Sequence, residues 1–115
     1  MLKFTTLLAL IISLATPASA FDFFIGRWAH QGHSCETTDY DFVPIKITQN
    51  TITQYESVCA LTNPVNIRGM EGFLHDAVCT GEGTEWSYRV LFLLELDGSL
   101  VFSRDGFTET LHKCE

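Results

Sequence analysis

Basic residues are scarce in this sequence. Seven lysines and arginines stand against 14 aspartates and glutamates, which gives a formal net charge of −7. Because Lys and Arg carry most of the binding to phosphate backbones and anionic lipids, this balance argues against nucleic-acid partners. An acidic surface suits a cation, a basic protein surface or a basic peptide, and it also keeps an exported protein in solution.

Long apolar runs and helical periodicity are absent after residue 20. No later stretch approaches the roughly 18 apolar residues that a spanning helix needs, so we expect no membrane span after signal cleavage. The chain also lacks internal repeats, linkers and low-complexity tracts. Because nothing marks a second domain, residues 21–115 are predicted to form a single β-barrel domain.

The first 20 residues have the features of a secretory signal peptide. Lys3 gives a short positive start, residues 7–14 are apolar, and Ala18, Ser19 and Ala20 form a small-x-small cleavage site. Cleavage there removes Lys3 and leaves 6 basic against 14 acidic residues, a net charge of −8. The sequence thus predicts a secreted or periplasmic protein that begins at Phe21.

No catalytic motif is recognisable. The G-x-S-x-G elbow of serine hydrolases does not occur. Ser34 is next to His33 in the sequence, but the side chains of neighbouring residues point apart in an extended chain. Acidic pairs such as Asp39 and Asp41 have the spacing of loop charges. We expect no enzymatic activity, and the residues imply no cofactor.

Four cysteines follow the predicted signal: Cys35, Cys59, Cys79 and Cys114. An even number in a short exported chain predicts two disulfides, for which three pairings are possible. We favour Cys35 with Cys114 and Cys59 with Cys79, because closing a barrel brings the last strand beside the first.

Short alternating segments separated by turn signals predict the fold. Apolar residues recur at every second position in residues 73–80 and 84–96, and residues 42–48 and 51–59 form a hairpin around Gln49 and Asn50. Pairs of Asp and Gly at residues 97–98 and 105–106 suit type I′ turns. Asn63 with Pro64 predicts a turn before a short strand in residues 65–70. The predicted fold is all-β, a small antiparallel up-and-down barrel of about seven or eight strands, because closure removes exposed edges.

Several apolar residues are candidates for ligand or partner binding. Even positions of residues 86–96 should face inward, while Leu91 and Leu93 form an apolar patch on the outer face. Aromatic residues including Trp28 and Trp86 either line a cavity for a small apolar ligand or fill the core, and filling is the default for a short chain. Phe21, Phe23 and Phe24 form either an arm that inserts into a partner or a plug in the barrel mouth.

A metal site is a third hypothesis. His30, His33 and Cys35 are followed closely by Glu36, Asp39 and Asp41, and imidazoles with carboxylates bind zinc or copper. An oxidised Cys35 is not a thiolate ligand, and an extended chain places His30 and His33 on opposite faces. Only a folded-back loop would bring the two histidines together.

The start of the mature chain resembles the calycin group. Gly26, Arg27 and Trp28 follow an apolar stretch and precede a strand meander, as in lipocalins and in small exported inhibitors of bacterial metalloproteases. The resemblance implies a barrel with a non-catalytic role, in which Arg104 packs on Trp28. A polar N-terminal arm enters the protease in those inhibitors. Here residues 21–24 are mostly aromatic, so the inhibitory residues are not carried over.

The sequence therefore leaves three functions to separate. The first is a non-catalytic exported protein that binds a protein or peptide, including the case of an enzyme inhibitor. The second is a carrier of a small apolar ligand inside the barrel, and the third is a metal-binding protein using His30 and His33.

Overall fold

The computed structural model describes residues 20–115, so the predicted signal peptide lies outside it except for Ala20. Within residues 20–115, two 3-10 helices, Ala20–Phe24 and Tyr40–Phe42, accompany eight strands. The strands are β1 (Gly26–His30), β2 (Ile45–Ile47), β3 (Thr51–Gln54), β4 (Ser57–Asn66), β5 (Gly72–Gly81), β6 (Thr84–Leu94), β7 (Leu100–Arg104) and β8 (Phe107–Lys113). None of the helices in this part of the chain is both long enough and apolar enough to cross a membrane.

Each strand pairs antiparallel with the next, and β8 pairs back with β1 to close the barrel. Trp28 lies opposite Lys113 at this closing seam, and His30 lies opposite Leu111. The prediction of an all-β, antiparallel up-and-down barrel is confirmed. Closure gives every strand two partners, so the backbone of the short β2 is paired with β1 on one side and with β3 on the other.

Both favoured disulfides are present. Cys35 bonds to Cys114, which joins the loop after β1 to the end of the chain, and Cys59 bonds to Cys79 across the β4–β5 pair. The amide of Cys114 also donates to the carbonyl oxygen of Arg27 at 2.9 Å, so the chain end is fixed beside β1.

Side chains fill the barrel. Those on the inward faces of the strands are almost fully buried, and the largest are Trp28, Phe92, Phe102, Ile45, Ile47, Ile52, Leu100 and Leu111. Phe21 and Phe24 from the first 3-10 helix are buried with them. The indole nitrogen of Trp28 donates to the carbonyl oxygen of Phe24 at 2.9 Å, which satisfies the polar end of a buried ring. The expected position of Trp28 inside the barrel is thus confirmed.

Gly26 shows why glycine precedes this tryptophan. Its φ of 143° is unfavourable for other residues, and a Cβ there would lie 3.3 Å from Cε of Lys113. The chain can therefore turn from the first helix into β1 beneath the Lys113 side chain.

Three local predictions were wrong. A single strand was expected over residues 51–59, but the chain turns at Tyr55 and Glu56, where Glu56 has a φ of 59°. Asn63 and Pro64 form a bulge in β4 instead of a turn, and the strand expected over residues 65–70 is the end of β4 followed by a loop. The bulge keeps β4 paired with β5 on both sides of the irregularity.

The two Asp-Gly pairs behave differently. Asp105 and Gly106 have φ values of 45° and 76°, as a type I′ turn requires. At residues 97–98 only Gly98 has a positive φ. Strand β6 ends at Leu94, so Leu96 does not face inward as predicted but lies fully exposed on a loop.

The predicted contact between Arg104 and Trp28 is also wrong. The Arg104 guanidinium lies 4.3 Å from the centre of the Tyr88 ring, and Lys113 occupies the position near Trp28, with its ammonium 5.5 Å from that ring. Strand register explains the difference, because Lys113 is the residue of β8 directly opposite Trp28.

Candidate binding site at one rim of the barrel

Successive connections of an up-and-down barrel lie at opposite ends. We call the upper rim the end that carries the first 3-10 helix, the β2–β3 turn, the β4–β5 loop (residues 67–71) and the β6–β7 loop (residues 95–99). The lower rim carries the β3–β4, β5–β6 and β7–β8 turns. Most candidate binding features lie at the upper rim.

An open cleft of about 1290 Å³ lies between the β4–β5 and β6–β7 loops. Apolar side chains dominate its lining, and they come from both loops and from the strand ends below: Ile67, Met70, Phe73, Leu93, Leu94 and Leu96. Met70 is half exposed and Leu96 is fully exposed, at 50% and 110%. These loop tips present apolar groups to solvent, as do Phe23 and Phe107 elsewhere on the barrel.

Gly72 forms the floor of this cleft. A Cβ at this position would lie 3.2 Å from Cδ1 of Ile67 and 3.3 Å from Cδ1 of Leu93, so these two side chains converge over the glycine. Leu93 stands opposite Gly72 on one side and Val101 on the other. The apolar surface therefore continues from the cleft onto the outer wall.

The two loops are held in place by backbone hydrogen bonds. The Leu94 amide donates to the Glu71 carbonyl at 2.8 Å, which links β6 to the β4–β5 loop. The Ile67 amide donates to the Gly72 carbonyl at 3.0 Å, and the Glu95 amide donates to the Ser99 carbonyl at 2.8 Å. The cleft is thus largely preformed, which lowers the conformational cost of binding.

Acidic groups outnumber basic groups around the cleft. Glu71, Glu95 and Asp97 line it together with a single cation, Arg68. The Ser99 side chain donates a short hydrogen bond to Asp97, and the Ser99 amide donates a second at 2.9 Å. These bonds from Ser99 lower the pKa of the Asp97 carboxyl below its ordinary value, which keeps it ionised.

The predicted binding residues are dispersed over the barrel. Leu93 lies in the cleft, and Leu91 lies on the outer wall opposite Leu74. Phe21 and Phe24 are buried at the upper mouth of the barrel, so of the two predicted roles they fit a plug in the mouth and not an arm that inserts into a partner. Phe23 is 60% exposed. Trp28 is in the core, and Trp86 is half-buried at the lower rim.

A second, smaller cavity lies beside the plug. It has a volume of about 180 Å³ and is lined by Phe21, Gln49, Asn50, Leu61, Pro64, Phe73 and His75. His75 is only 4% exposed, and its Nδ1 has no hydrogen-bond partner among the described residues. Burial lowers the pKa of His75, and the neighbouring Asp76 charge opposes that shift. The ring is therefore neutral at neutral pH.

Trp86 belongs to a shallow cleft at the lower rim. Tyr88, Arg104, Asp105 and Phe107 complete its lining, and its volume is about 470 Å³. Burial raises the pKa of the Tyr88 hydroxyl, and the nearby Arg104 guanidinium opposes the shift. The guanidinium packs on the tyrosine face, as a cation–π contact requires.

The rings of His30 and His33 both lie against Phe42, His30 edge-on with ring centres 5.9 Å apart and His33 stacked. Nδ1 of His30 lies 2.9 Å from Oε2 of Glu109, and the His33 ring stacks on Phe42 at 3.8 Å. Within residues 20–115 the structure contains no group of three or more His, Cys, Asp or Glu side chains placed to hold a metal ion. The metal hypothesis gains no support from this geometry.

The sequence does not identify Ile67, Met70 and Leu96 as site residues, nor does it indicate the unpartnered Nδ1 of His75. A usable signal existed for part of the cleft, because the adjacent residues Leu93 and Leu94 are both apolar at the end of an alternating strand. The convergence of two loops separated by more than 20 residues left no such signal.

Comparison with protein-family models, curated proteins and solved structures found no match. The eight-stranded antiparallel barrel is compatible with the calycin architecture, while membership in that group stays a prediction.

Proposed function

We propose that this chain is an exported, non-catalytic binding protein that docks a segment of another protein in the upper-rim cleft. The partner segment carries apolar side chains flanked by basic ones. One observation carries the proposal: a preformed apolar cleft with exposed Leu96 and Met70 at its edges and an excess of carboxylates around it.

The apolar lining supplies the driving force for docking. Fully burying a leucine side chain is worth about 1.5–3 kcal/mol, and Leu96 starts fully exposed. Exposed apolar groups that adjoin one another and are rimmed by polar residues are typical of interaction sites. Leu93 and Val101 extend this surface onto the outer wall, so a partner can contact both the cleft and the wall.

The charge distribution selects the partner. Glu71, Glu95 and Asp97 face the same cleft as Arg68, and the mature chain as a whole carries a net charge of −8. A basic segment is attracted over long range and an acidic one is repelled, so charge contributes mostly to the association rate and to specificity. The charges around the cleft therefore favour a basic protein or peptide over an acidic one.

The proposed location is the periplasm or the extracellular medium. Two disulfides in a small domain are typical of proteins from oxidising compartments. If the partner is an exported enzyme and the docked segment lies near its active site, binding inhibits that enzyme.

A carrier function along the barrel axis has less support. Trp28, Phe24, Phe92 and Phe102 occupy the interior and are at most 1% exposed. A ligand on the axis would have to displace these rings, at a cost typical of disrupting a packed core.

Fluorescence anisotropy with labelled synthetic peptides tests the proposal. We expect an eight-residue peptide of alternating leucine and lysine to bind with micromolar affinity, and leucine–glutamate and serine–lysine peptides to bind at least about tenfold more weakly. Leu96→Ser should weaken binding of the leucine–lysine peptide by about tenfold, since one leucine contact is lost.

Val78→Ser is the matched control, because Val78 is also an exposed apolar residue but lies on β5 away from the cleft. It should bind the peptide as the natural protein does. Equal losses in Leu96→Ser and Val78→Ser, or equal binding of the leucine–lysine and leucine–glutamate peptides, would show that the cleft is not the docking site.

A further inference from the structure

His75, which lines the cavity beside the plug, has a buried ring nitrogen without a hydrogen-bond partner among the described residues. Nδ1 of His75 has no hydrogen bond within residues 20–115, although the residue is 96% buried. Leaving such an atom unpaired costs roughly 1–3 kcal/mol, and natural proteins rarely retain that cost without a water, an ion or a ligand at the site.

The surroundings of His75 are aromatic. The centre of its ring lies 4.9 Å from that of Phe21, 5.6 Å from that of Phe92 and 6.0 Å from that of Phe73. Phe21 and Phe73 also line the 180 Å³ cavity, together with Leu61 and Pro64. The walls of the cavity are therefore mostly apolar, with ring faces and edges available for packing.

The size of the cavity limits its contents. An apolar cavity of about 150 Å³ is large enough to hold benzene, so 180 Å³ admits a molecule with one aromatic ring and a small substituent. None of the lining residues carries a fixed charge, and His75 is itself neutral near pH 7. An ionised ligand would lose its hydration without gaining a counter-charge, so the occupant must be neutral.

We propose that this cavity binds a small neutral phenol-like molecule whose hydroxyl group hydrogen-bonds to Nδ1 of His75. A hydroxyl group both donates and accepts, so it can pair with either tautomer of the imidazole. The ring of the ligand packs against Phe21 and Phe73, while the Gln49 and Asn50 side chains lie at the polar margin of the cavity. This site is separate from the proposed peptide cleft and does not depend on it.

Titration followed by NMR tests the site, with phenol as the probe and toluene as a probe of similar size without the hydroxyl. At pH 7.5 we expect phenol to shift the ring resonances of His75, Phe21 and Phe73 with millimolar affinity. Toluene should bind about tenfold more weakly, because the hydrogen bond to Nδ1 is missing. Benzoate, which is ionised at this pH, should cause no shifts at these rings.

Two variants distinguish the contribution of the hydrogen bond to phenol binding from that of the cavity volume. His75→Phe keeps a ring in the aromatic cluster and removes the nitrogen, so it should fold and should bind phenol no better than toluene. Leu61→Phe fills the cavity and should abolish the binding of both probes. His33→Phe is the matched control, since a phenyl ring can keep the stack on Phe42 far from the cavity, and it should leave phenol binding unchanged.

Three results would overturn the proposal. They are equal affinity for phenol and toluene, an unchanged preference for phenol in His75→Phe, and a crystal structure soaked in 20 mM phenol that shows a single water on Nδ1 and no ring density. The last result would identify the site as a buried water position.

Discussion

His75 is a titratable ring enclosed by hydrophobic side chains. It lies on the inward face of β5 between Phe73 and Ala77, and Phe21 from the first 3-10 helix packs over it. Burial disfavours its charged form and lowers its pKa, while the adjacent Asp76 charge acts in the opposite direction. The ring therefore links the stability of the upper mouth to pH.

The sign of this linkage follows from the direction of the shift. Because the pKa of His75 is lowered in the folded state, the unfolded chain takes up a proton first as the pH falls through about 6.5. The contribution of neutral His75 to stability is fully present above that pH and is lost below it. We expect the free energy of unfolding to fall between pH 7.5 and pH 5.5, and His75→Phe to show a smaller fall.

Urea unfolding followed by circular dichroism at pH 7.5, 6.5 and 5.5 measures this difference. His33→Phe serves as the control for the general effect of replacing a histidine by a phenyl ring. A pH dependence that is the same in His75→Phe and in the natural sequence would show that other groups cause the loss of stability.

Single residues also show what the sequence can predict about contacts. The burial of Trp28 followed from its place in an apolar, strand-like segment shortly after the predicted signal peptide, and the structure confirms it. The identity of the cation near the Trp28 ring could not be predicted in the same way, because it depends on the register between β8 and β1. This register places Lys113, and not Arg104, opposite the indole. Register is a property of two distant segments, so one local motif does not contain it.

At the scale of elements, the success of turn prediction depended on residue type. The β7–β8 turn uses Asp105 and Gly106, whose preference for positive φ is strong, and the sequence predicted it. The β3–β4 turn uses Tyr55 and Glu56, neither of which is a typical turn former, and Glu56 adopts a φ of 59°. Tertiary pairing of β3 with β4 imposes that turn against local preference.

The candidate cleft was predictable only in part, for a similar reason. The outward apolar positions of Leu91 and Leu93 indicated a partner-facing surface in the sequence. The cleft itself arises because the β4–β5 and β6–β7 loops rise from the same end of the barrel and are joined by the bond from Leu94 to Glu71. That arrangement requires the closed topology and not just the alternation of one strand.

The β5–β6 turn offers a stabilising substitution. Glu82 and Gly83 have φ values of 48° and 78°, so this is a type I′ conformation with glutamate at a position that favours Asn, Asp or Gly. The Glu56 side chain lies close enough to raise the pKa of the Glu82 carboxyl through a hydrogen bond and through charge repulsion. We expect Glu82→Asn to increase the free energy of unfolding by about 0.5–1 kcal/mol, because asparagine adopts the positive φ of this turn position at a lower cost than glutamate.

Urea unfolding compares Glu82→Asn with Glu85→Asn. Glu85 is an exposed glutamate on β6 three residues away, where an extended backbone gives asparagine no advantage. A gain of the same size at both positions would indicate a general effect of reducing negative charge and not relief of the turn.

For the whole molecule, the two disulfides have different roles because they close loops of different length. Cys35 and Cys114 are 79 residues apart, so their bond joins the two ends of the barrel sequence, while Cys59 and Cys79 are 20 apart and link strands that already pair. Loop-closure entropy predicts contributions of about 4.5 and about 3.3 kcal/mol, respectively. Burial differs as well, since Cys59 and Cys79 are fully buried and Cys35 and Cys114 are partly exposed.

This contrast predicts the order of reduction. In dithiothreitol at pH 8 without denaturant, the bond between Cys35 and Cys114 should open first, because a thiolate reaches its sulfurs without unfolding the barrel. A species that keeps only the Cys59–Cys79 bond should accumulate, with a free energy of unfolding about 4.5 kcal/mol lower than that of the oxidised protein. Alkylation at timed intervals, followed by peptide mass spectrometry, identifies which cysteines are free.

In 8 M urea both bonds should open at similar rates, because the protection of Cys59 and Cys79 comes from the folded barrel. If Cys59 and Cys79 were alkylated first without denaturant, the β4–β5 pair would have to open more readily than the closing seam between β1 and β8.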